Sequence, residues 1–347
     1  MRPGGRRYRT VLVVLALSLI ASVLLAVAVG SVGISPGSAL RLAAWKLGIT
    51  DRPPGIPAST EVILFQLRLP RVALALIVGL ALAIAGTLFQ GLFRNPLADP
   101  AIVGVSSGAA LGAIAVIVAG GGALFGGLGV SLAAFLGGMA TAFFVYRLAR
   151  VGPAVNVATL LLAGIAVAAV ISAVMSLVMS FTGEEIRSIY FWLLGGLSAR
   201  GWNAVEVVGP LVVLGVAGAV LLIRDLNLVS LGEERAAQLG VDVDRFKWQA
   251  VTLGALLAGA AVSVSGVIGF VGLMTPHVMR LLVGSDHRRL LPAVLLAGPT
   301  FLVLADLVSR VAIAPQELPL GAVTALVGGP FFLYLLRRER RRASARA

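Results

Sequence analysis

The chain has 347 residues, of which 59% are hydrophobic and only 12% are charged, and its formal net charge is +13. A soluble domain carries about 25% charged residues, so this composition and a mean hydropathy of +1.01 exclude a soluble fold. The apolar runs lack the alternation of a transmembrane β-barrel strand. We therefore predict an all-α polytopic membrane protein.

The excess of basic residues is expected to hold loops at the cytoplasmic face of the membrane, and nucleic-acid binding is not expected. The chain has no cysteine and two histidines. It is therefore not expected to bind a metal or another cofactor, or to use a thiol nucleophile.

Hydropathy and the positions of Gly and Pro predict ten membrane spans. They are residues 11–31, 69–93, 99–119, 126–147, 157–181, 203–223, 247–270, 273–284, 291–310 and 320–336. The first follows a basic N-terminus, but its 20-residue apolar core at 11–30 is longer than a signal-peptide h-region. We expect an uncleaved span there, and a half-apolar segment, 186–197, lying along the membrane interface.

The distribution of positive charge predicts the orientation. With a cytoplasmic N-terminus, 20 of the 28 Lys and Arg residues fall on the inner side. The positive-inside rule then places both termini in the cytoplasm.

Two arginines flank the start of the second span, in Arg68-Leu69-Pro70-Arg71. Proline suits a first helical turn, but cations at a helix N-terminus oppose its dipole. Something anionic should compensate them. Lipid phosphate and the carboxylates of a docking protein both fit.

Glycines form two patterns. Gly104, Gly108 and Gly112 recur every four residues, which predicts close helix packing, with a pore-lining stripe as the alternative. Gly86 and Gly266 each precede a proline by ten residues, and each proline is expected to open a short span. The same spacing in the two halves of a chain is typical of a duplicated transporter.

Asp306 is the one acidic residue deep in an apolar run. Arg310 lies four residues later, on the same helix face, so the two can neutralise each other; a proton relay is the alternative. The chain has no GxxxxGK[ST] loop for ATP phosphates. An ion-coupled secondary carrier is the alternative function, although it should show more intramembrane charge than this chain has. A membrane-embedded enzyme, the third candidate, should have titratable residues clustered at one depth, and the sequence shows no such cluster.

The most polar internal segment is 225–247. Ser230 to Glu233 fits a capping box for a short helix over 231–239, and Gly240 fits a left-handed stop. Asp242 or Asp244 should cap the seventh span. The pattern leaves two interpretations of this helix: it contacts a cytoplasmic partner, or it simply lies along the membrane interface.

Several stretches together resemble the FecCD family, the iron-chelate and cobalamin branch of bacterial ABC-importer permeases. They are RLPR at 68–71, Q-x3-RNPLADP at 90–100, GVSSGAALG at 104–112, WLLGGLS at 192–198, LNLVSLGEERAAQLGV at 226–241, GVIGFVGLMTPHVMRLLVGSDHRRLLP at 266–292 and ELPLGAVTALVGGPFFLYLL at 317–336. The departures are small: Thr275 stands where an aliphatic residue is usual, and Gly329 where Ala is common.

The resemblance implies a single permease domain over 1–347 with a type II ABC-importer permease fold, in which spans 2–5 and 7–10 form an internal pseudo-repeat. It implies a homodimer in the bacterial inner membrane, in contact with lipid, with two separate cytoplasmic ATPase subunits. It also implies an extracytoplasmic substrate-binding protein. The chain itself would be non-catalytic. The implied cargo is an iron–siderophore or a related iron chelate, with haem or cobalamin as alternatives.

The family's functional residues carry over to two sets of positions. Those expected to dock the binding protein are Arg68, Arg71 and Arg310. Those expected to couple to the ATPase are Ser230, Leu231, Gly232, Glu233, Glu234, Arg235, Ala236, Ala237, Gln238, Leu239 and Gly240.

Overall fold

The computed structural model describes residues 5–30, 33–151, 154–198 and 200–344, and in them the chain forms sixteen α-helices and one antiparallel ribbon of two-residue strands. The helices are α1 Gly5–Ala28, α2 Pro36–Lys46, α3 Ala58–Val62, α4 Leu69–Leu92, α5 Val105–Val118, α6 Leu124–Gly127, α7 Gly129–Leu148, α8 Val157–Ser180, α9 Ile186–Leu193, α10 Trp202–Leu221, α11 Ile223–Val229, α12 Glu233–Gln238, α13 Val243–Ser265, α14 Val271–Val283, α15 His287–Val311 and α16 Leu320–Ser344. The strands are β1 Arg150–Val151 and β2 Ala154–Val155. Arg2 and Arg346, which contribute to the predicted charge bias, lie outside the described residues.

A helix lies at each of the ten predicted spans. Among the described residues, seven helices are long and apolar enough to cross a membrane; α3 and α4 count as one of them, because they are joined over 35 residues, Ala58–Leu92. The helices α5, α14 and Leu320–Tyr334 are apolar but shorter. Helix α9 occupies the predicted interfacial segment. Nothing in the sequence pattern indicated α2, α3 or α11.

The second span begins earlier than predicted, because Pro70 does not start a helix. A π-helical stretch, Ile63–Arg68, joins α3 to α4, and the N–H of Leu69 bonds to the carbonyl of Leu64, five residues before it. Proline has no N–H for the carbonyl four residues earlier. A π-bulge beside it re-routes the hydrogen bonds and keeps the helix continuous.

The third span begins later than predicted, because its first turns are not α-helical. Asp99 caps a 3₁₀ turn, Pro100–Val103, by accepting from the N–H of Ala101 at 2.8 Å. Gly104 follows with a left-handed φ of +80° and separates this turn from α5. Glycine adopts such a φ without the steric cost that other residues carry.

The glycine stripe on α5 packs against α7. A Cβ on Gly108 would collide with the hydroxyl of Thr141, and one on Gly112 with the carbonyl of Ala133. The backbones of the two helices therefore approach too closely for any side chain. The packing interpretation is confirmed.

The two halves of the chain are interleaved. Helix α4 packs on α14 and α15, while α13, its counterpart in the second half, packs on α5 and α7. Each long helix thus lies against the second and third helices of the other half, as an internal pseudo-repeat requires.

The two glycines of the repeated Gly–Pro spacing both lie at close backbone contacts, but the two prolines of that spacing do not both begin a helix. A Cβ on Gly86 would meet the carbonyl of Gly272, and one on Gly266 the carbonyl of Trp192. Pro276 lies inside α14, and Pro96 lies in the loop after α4. The prediction that both prolines open short spans is therefore wrong, since α14 starts five residues before Pro276.

Candidate functional site

The predicted residues gather at two ends of the helical bundle. We call one the arginine end, where α1 and α15 finish and α4 and α16 begin. The other is the α12 end, where α4 finishes and α11 and α12 lie.

At the arginine end, Arg68 is bound to the last turn of α1. Its Nη1 donates to the carbonyls of Val27 and Ala28 at 3.0 and 3.1 Å, and the residue is only 5% exposed. The last carbonyls of a helix have no partner within the helix and carry partial negative charge. Gly30 makes room for the guanidinium, because a Cβ there would lie 2.7 Å from Arg68 Nη2.

Arg310 binds the same helix end from α15. Its Nη2 donates to the carbonyl of Ala26 at 3.1 Å and its Nη1 to that of Val29 at 3.4 Å. Its Nε lies 3.1 Å from Asp306 Oδ2. The predicted pairing of Asp306 with Arg310 is therefore present in the fold.

Arg71 joins the same network from α4. Its Nε donates to Asp306 Oδ1 at 2.9 Å, so both oxygens of Asp306 face a guanidinium. Its Nη1 donates to Glu317 at 2.8 and 3.0 Å, and Glu317 also accepts from the hydroxyl of Ser198. Asp306 is 1% exposed and Arg71 9%.

These contacts show which groups compensate the arginines within the chain: α1 carbonyls, Asp306 and Glu317. For Arg68 and Arg71, sequence reasoning considered only external anions; for Arg310 it had already named Asp306. Arg68, Arg71 and Arg310 are all buried and bonded within the chain, so in this conformation they present little surface to a partner.

Glu317 lies in the loop before α16, with 36% of its side chain exposed. Partial burial raises its pKa, but the hydrogen bonds from Arg71 and Ser198 and the charge of Arg71 outweigh that effect and hold the pKa below the ordinary value. Glu317 is therefore ionised at neutral pH.

Two adjoining cavities open at the arginine end, with volumes of about 490 and 480 Å³. Both are lined by Arg71, Ser198, Arg200 and Glu317, and the second also by Arg68 and Arg310. We call them together the arginine cleft. Sequence reasoning missed Arg200 and Glu317, although Glu317 opens one of the quoted motifs.

At the α12 end, the predicted capping box is wrong. The hydroxyl of Ser230 donates to the carbonyl of Asn227 at 2.6 Å, and α12 is preceded by Gly232 at φ +114° with no side-chain cap. Ser230 ends α11 instead of starting α12, so its hydroxyl bonds back along the chain. The left-handed Gly240, at φ +84°, and the cap by Asp242 on the N–H of Arg245 are both as predicted.

Lys247 attaches α12 to the bundle. Its Nζ donates to Glu233 at 2.7 Å and to the carbonyl of Val155 at 2.8 Å, and the residue is 5% exposed. Ala236 is fully buried against the bundle, whereas Leu231 and Leu239 are more than half exposed. The segment is thus fixed to the bundle and presents apolar side chains outward.

Asn227 fixes α11 in the same way. Its side chain donates to Asp286 at 2.9 Å and accepts from the N–H of His287 at 2.9 Å, which binds α11 to the start of α15. Nothing in the local sequence pattern predicted this contact, because the partners lie 60 residues apart.

Comparison with known proteins gives consistent matches over most of the chain. A family model described as the FecCD transport family matches residues 18–338. The chain is 48% identical to the cobalamin import system permease protein BtuC of Halobacterium salinarum, over 83% of this chain and 77% of that protein. It is 44% identical to the hemin transport system permease protein HmuU of Yersinia pestis, over 81% and 85%.

A solved structure of a metal-chelate type ABC transporter in an inward-facing conformation is also similar. It superposes with a TM-score of 0.82 at 32% identity, covering 95% of this chain and 99% of that one.

Proposed function

The chain belongs to the FecCD transport family, and from that premise we propose that it carries an iron–siderophore complex or a related iron chelate into the cell. The family match over residues 18–338 supports import of an iron chelate, haem or cobalamin, and the likeness over nearly the whole chain to a structure described as a metal-chelate type ABC transporter favours the iron chelate.

The general function follows directly from the family. The chain is a non-catalytic, multi-pass membrane permease subunit of an ABC importer for iron chelates, haem or cobalamin. ATP is hydrolysed on a separate subunit, and a substrate-binding protein delivers the cargo. The predicted type II ABC-importer permease fold is confirmed.

Haem and cobalamin are the alternative cargoes. The relatives' names include cobalamin, hemin and, for FecD of Escherichia coli at 38% identity, iron(III) dicitrate. Uptake of each labelled cargo into proteoliposomes that hold permease, ATPase and binding protein tests the proposal. Uptake of iron–siderophore alone supports it, and exclusive uptake of haem or cobalamin refutes the iron-chelate assignment. Uptake that persists without the ATPase refutes the importer mechanism.

We place the docking of the binding protein at the arginine cleft, with Arg68, Arg71 and Arg310 as its positive floor. The cleft is open, and its arginines outnumber its carboxylates. Because the three arginines hold internal contacts, reversing their charge would also damage the fold. Arg71→Lys is the cleaner test: it keeps the charge but cannot serve Asp306 and Glu317 together. We expect weaker docking and unchanged ATPase association; unchanged docking affinity would contradict the assignment.

We place coupling to the ATPase on Ser230–Gly240. This placement is supported by the attachment of α12 to the bundle through Lys247 and by the exposed side chains of Leu231 and Leu239. Glu233 pairs with Lys247, so the exposed Glu234 gives the sharper test. In Glu234→Arg we expect ATP hydrolysis that no longer drives uptake. Glu184→Arg, the same charge reversal at an exposed residue outside this segment, serves as the control; normal coupling in Glu234→Arg would indicate a passive loop.

We also propose a homodimer with two ATPase subunits, a single permease domain over 1–347, and both termini in the cytoplasm of a bacterial inner membrane. Helices α8 and α10 leave much of their apolar surface uncovered in one chain, and this surface is available to lipid and to a partner copy. The chain has no cysteine, so single cysteines introduced near each terminus report their side by labelling with an impermeant maleimide. Labelling from outside would refute the orientation.

A further inference from the structure

A pocket of about 380 Å³ lies between the end of α7 and the start of α13, and we call it the α7–α13 pocket. Three aromatic and four charged side chains line it. Lys247, in the first turns of α13, binds Glu233 of α12, which places the pocket at the α12 end of the bundle. Its lining residues belong neither to the arginine cleft nor to Ser230–Gly240, so docking and coupling do not account for it.

The charged side chains of the pocket leave positive charge uncompensated. They are Arg147, Arg150, Asp244 and Arg245. In the part of the chain that the structure describes, no carboxylate lies within ion-pair distance of any of the three guanidiniums. Asp244 instead accepts from the N–H of Val155 at 3.4 Å. Three arginines against one aspartate leave an excess of two positive charges, which attracts an anion.

Aromatic rings form the apolar part of the pocket. Trp248 packs edge-on against Tyr146 and Phe143, with ring centres 5.1 and 5.9 Å apart. The guanidinium of Arg147 lies 5.6 Å from the ring centre of Phe143, a cation–π contact that keeps it beside the rings. Tryptophan and tyrosine are enriched where a protein passes from the hydrocarbon to the headgroups of a membrane. This combination of rings and arginines is therefore typical of headgroup depth.

The two walls of the pocket are fixed to each other through Val155. This residue is 2% exposed and pairs with Arg150 across the β1–β2 ribbon that follows α7. Its N–H donates to Asp244, and its carbonyl accepts from Lys247 Nζ at 2.8 Å, so both of its polar groups bind the first turns of α13. Because the pocket is preformed, a ligand that enters it loses less binding energy to ordering the chain.

An exposed apolar stripe on α7 leads to the pocket. Its members recur every three or four residues, so they share one face of the helix; they are Leu132, Leu136, Ala140 and Phe143. Arg147 follows four residues later on the same face. From Leu132 to Phe143 the helix rises about 16 Å, close to half of a hydrocarbon core about 30 Å thick. The stripe therefore has the length of one acyl chain in one leaflet.

We infer that the α7–α13 pocket binds the headgroup phosphate of an anionic phospholipid, with an acyl chain along the stripe on α7. A guanidinium can bind phosphate through two parallel hydrogen bonds, and basic pockets between spanning helices suit anionic headgroups. Phosphatidylglycerol fits better than phosphatidylethanolamine, whose ammonium would add to the excess of positive charge. A soluble phosphate ester would use the arginines but leave the stripe uncovered. The inference is independent of the cargo and of the docking proposed above.

The test is native mass spectrometry of the purified permease–ATPase complex with phosphatidylglycerol and phosphatidylethanolamine of identical acyl chains. In the wild type we expect at least tenfold tighter binding of phosphatidylglycerol, and in Arg147→Gln an at least fivefold loss of that affinity. Arg224→Gln is the matched control, because Arg224 is exposed on α11 at the same end of the bundle but does not line the pocket; its affinity should stay within twofold of the wild type. Equal affinity of the wild type for both lipids, or unchanged affinity in Arg147→Gln, overturns the inference.

A second readout locates the lipid. In a phosphatidylethanolamine bilayer, a low fraction of phosphatidylglycerol brominated near its ester groups should quench tryptophan fluorescence more than the same fraction of brominated phosphatidylethanolamine. The difference should disappear in Trp248→Phe, and a difference that persists there overturns the location.

Glycerol 3-phosphate, which has the phosphate but no acyl chains, distinguishes a lipid from a soluble ligand. It should not displace phosphatidylglycerol at equal concentration. Displacement would overturn the lipid assignment in favour of a soluble phosphate ester.

Discussion

Asp306 is the carboxylate on which the arginine end depends, and its removal should destabilise the protein strongly. It is 1% exposed, and its two oxygens lie 2.9 Å from Arg71 Nε and 3.1 Å from Arg310 Nε. Asp306→Asn keeps the shape but removes the charge between two buried guanidiniums. Removing one partner of a buried ion pair costs about 3–5 kcal/mol.

The measurement is the midpoint of thermal unfolding in detergent, which should fall by about 4–7 °C for a loss of that size in a chain of this length. Glu317→Gln is the matched control, because Glu317 also binds Arg71 but is 36% exposed, so water can replace it and the shift should be smaller. Equal midpoints for Asp306→Asn and the wild type would refute the view that Asp306 holds the two arginines in place.

Three further predictions concern other parts of the fold. Gly86→Ala should cost at least the roughly 1–3 kcal/mol of an overpacked core, because the methyl group would collide with the carbonyl of Gly272. Gly209→Ala is the control and should be tolerated, because its methyl group would lie at an ordinary contact distance of 4.0 Å. Equal yields of monodisperse protein by size exclusion for the two variants would contradict this. Lys247→Met should loosen α12 by about 1–3 kcal/mol and speed hydrogen exchange over 233–238, and unchanged exchange would show that α12 does not need the lysine. The folded pKa of Glu317 lies below its ordinary 4.5. Its stabilising contribution should therefore be complete above pH 4.5 and be lost as the pH falls through the lowered pKa. If the unfolding midpoint of Glu317→Gln depends on acid pH in the same way as that of the wild type, Glu317 makes no such contribution.

The positions of the spanning helices were predictable, because about 20 apolar residues in a row have few alternatives in a membrane. Their ends were not. Pro70 indicated a helix start, but contacts upstream extend the helix through a π-bulge. At Gly104 a left-handed φ shortens the helix, and local composition does not reveal it.

The candidate site was predictable only as separate pieces. The sequence pattern and the family resemblance named Arg68, Arg71 and Arg310, but not that two of them would bind the end of α1. That contact joins residues about 40 and 280 positions apart. The false capping box at Ser230 has a local cause, since a serine hydroxyl can bond back to its own helix as readily as forward.

The attachment of α1 bears on how the protein is made. This helix enters the membrane first, yet α15 holds it at both ends: the guanidinium of Arg289 lies 5.6 Å from the Tyr8 ring centre, and Arg310 binds the final carbonyls of α1. Ribosomal synthesis must therefore proceed through some 280 more residues before α1 finds its lasting neighbour. During that interval Arg68, only about 40 residues away, is the first side chain synthesised that can bind these carbonyls, and we expect it to hold the end of α1 until α15 is made.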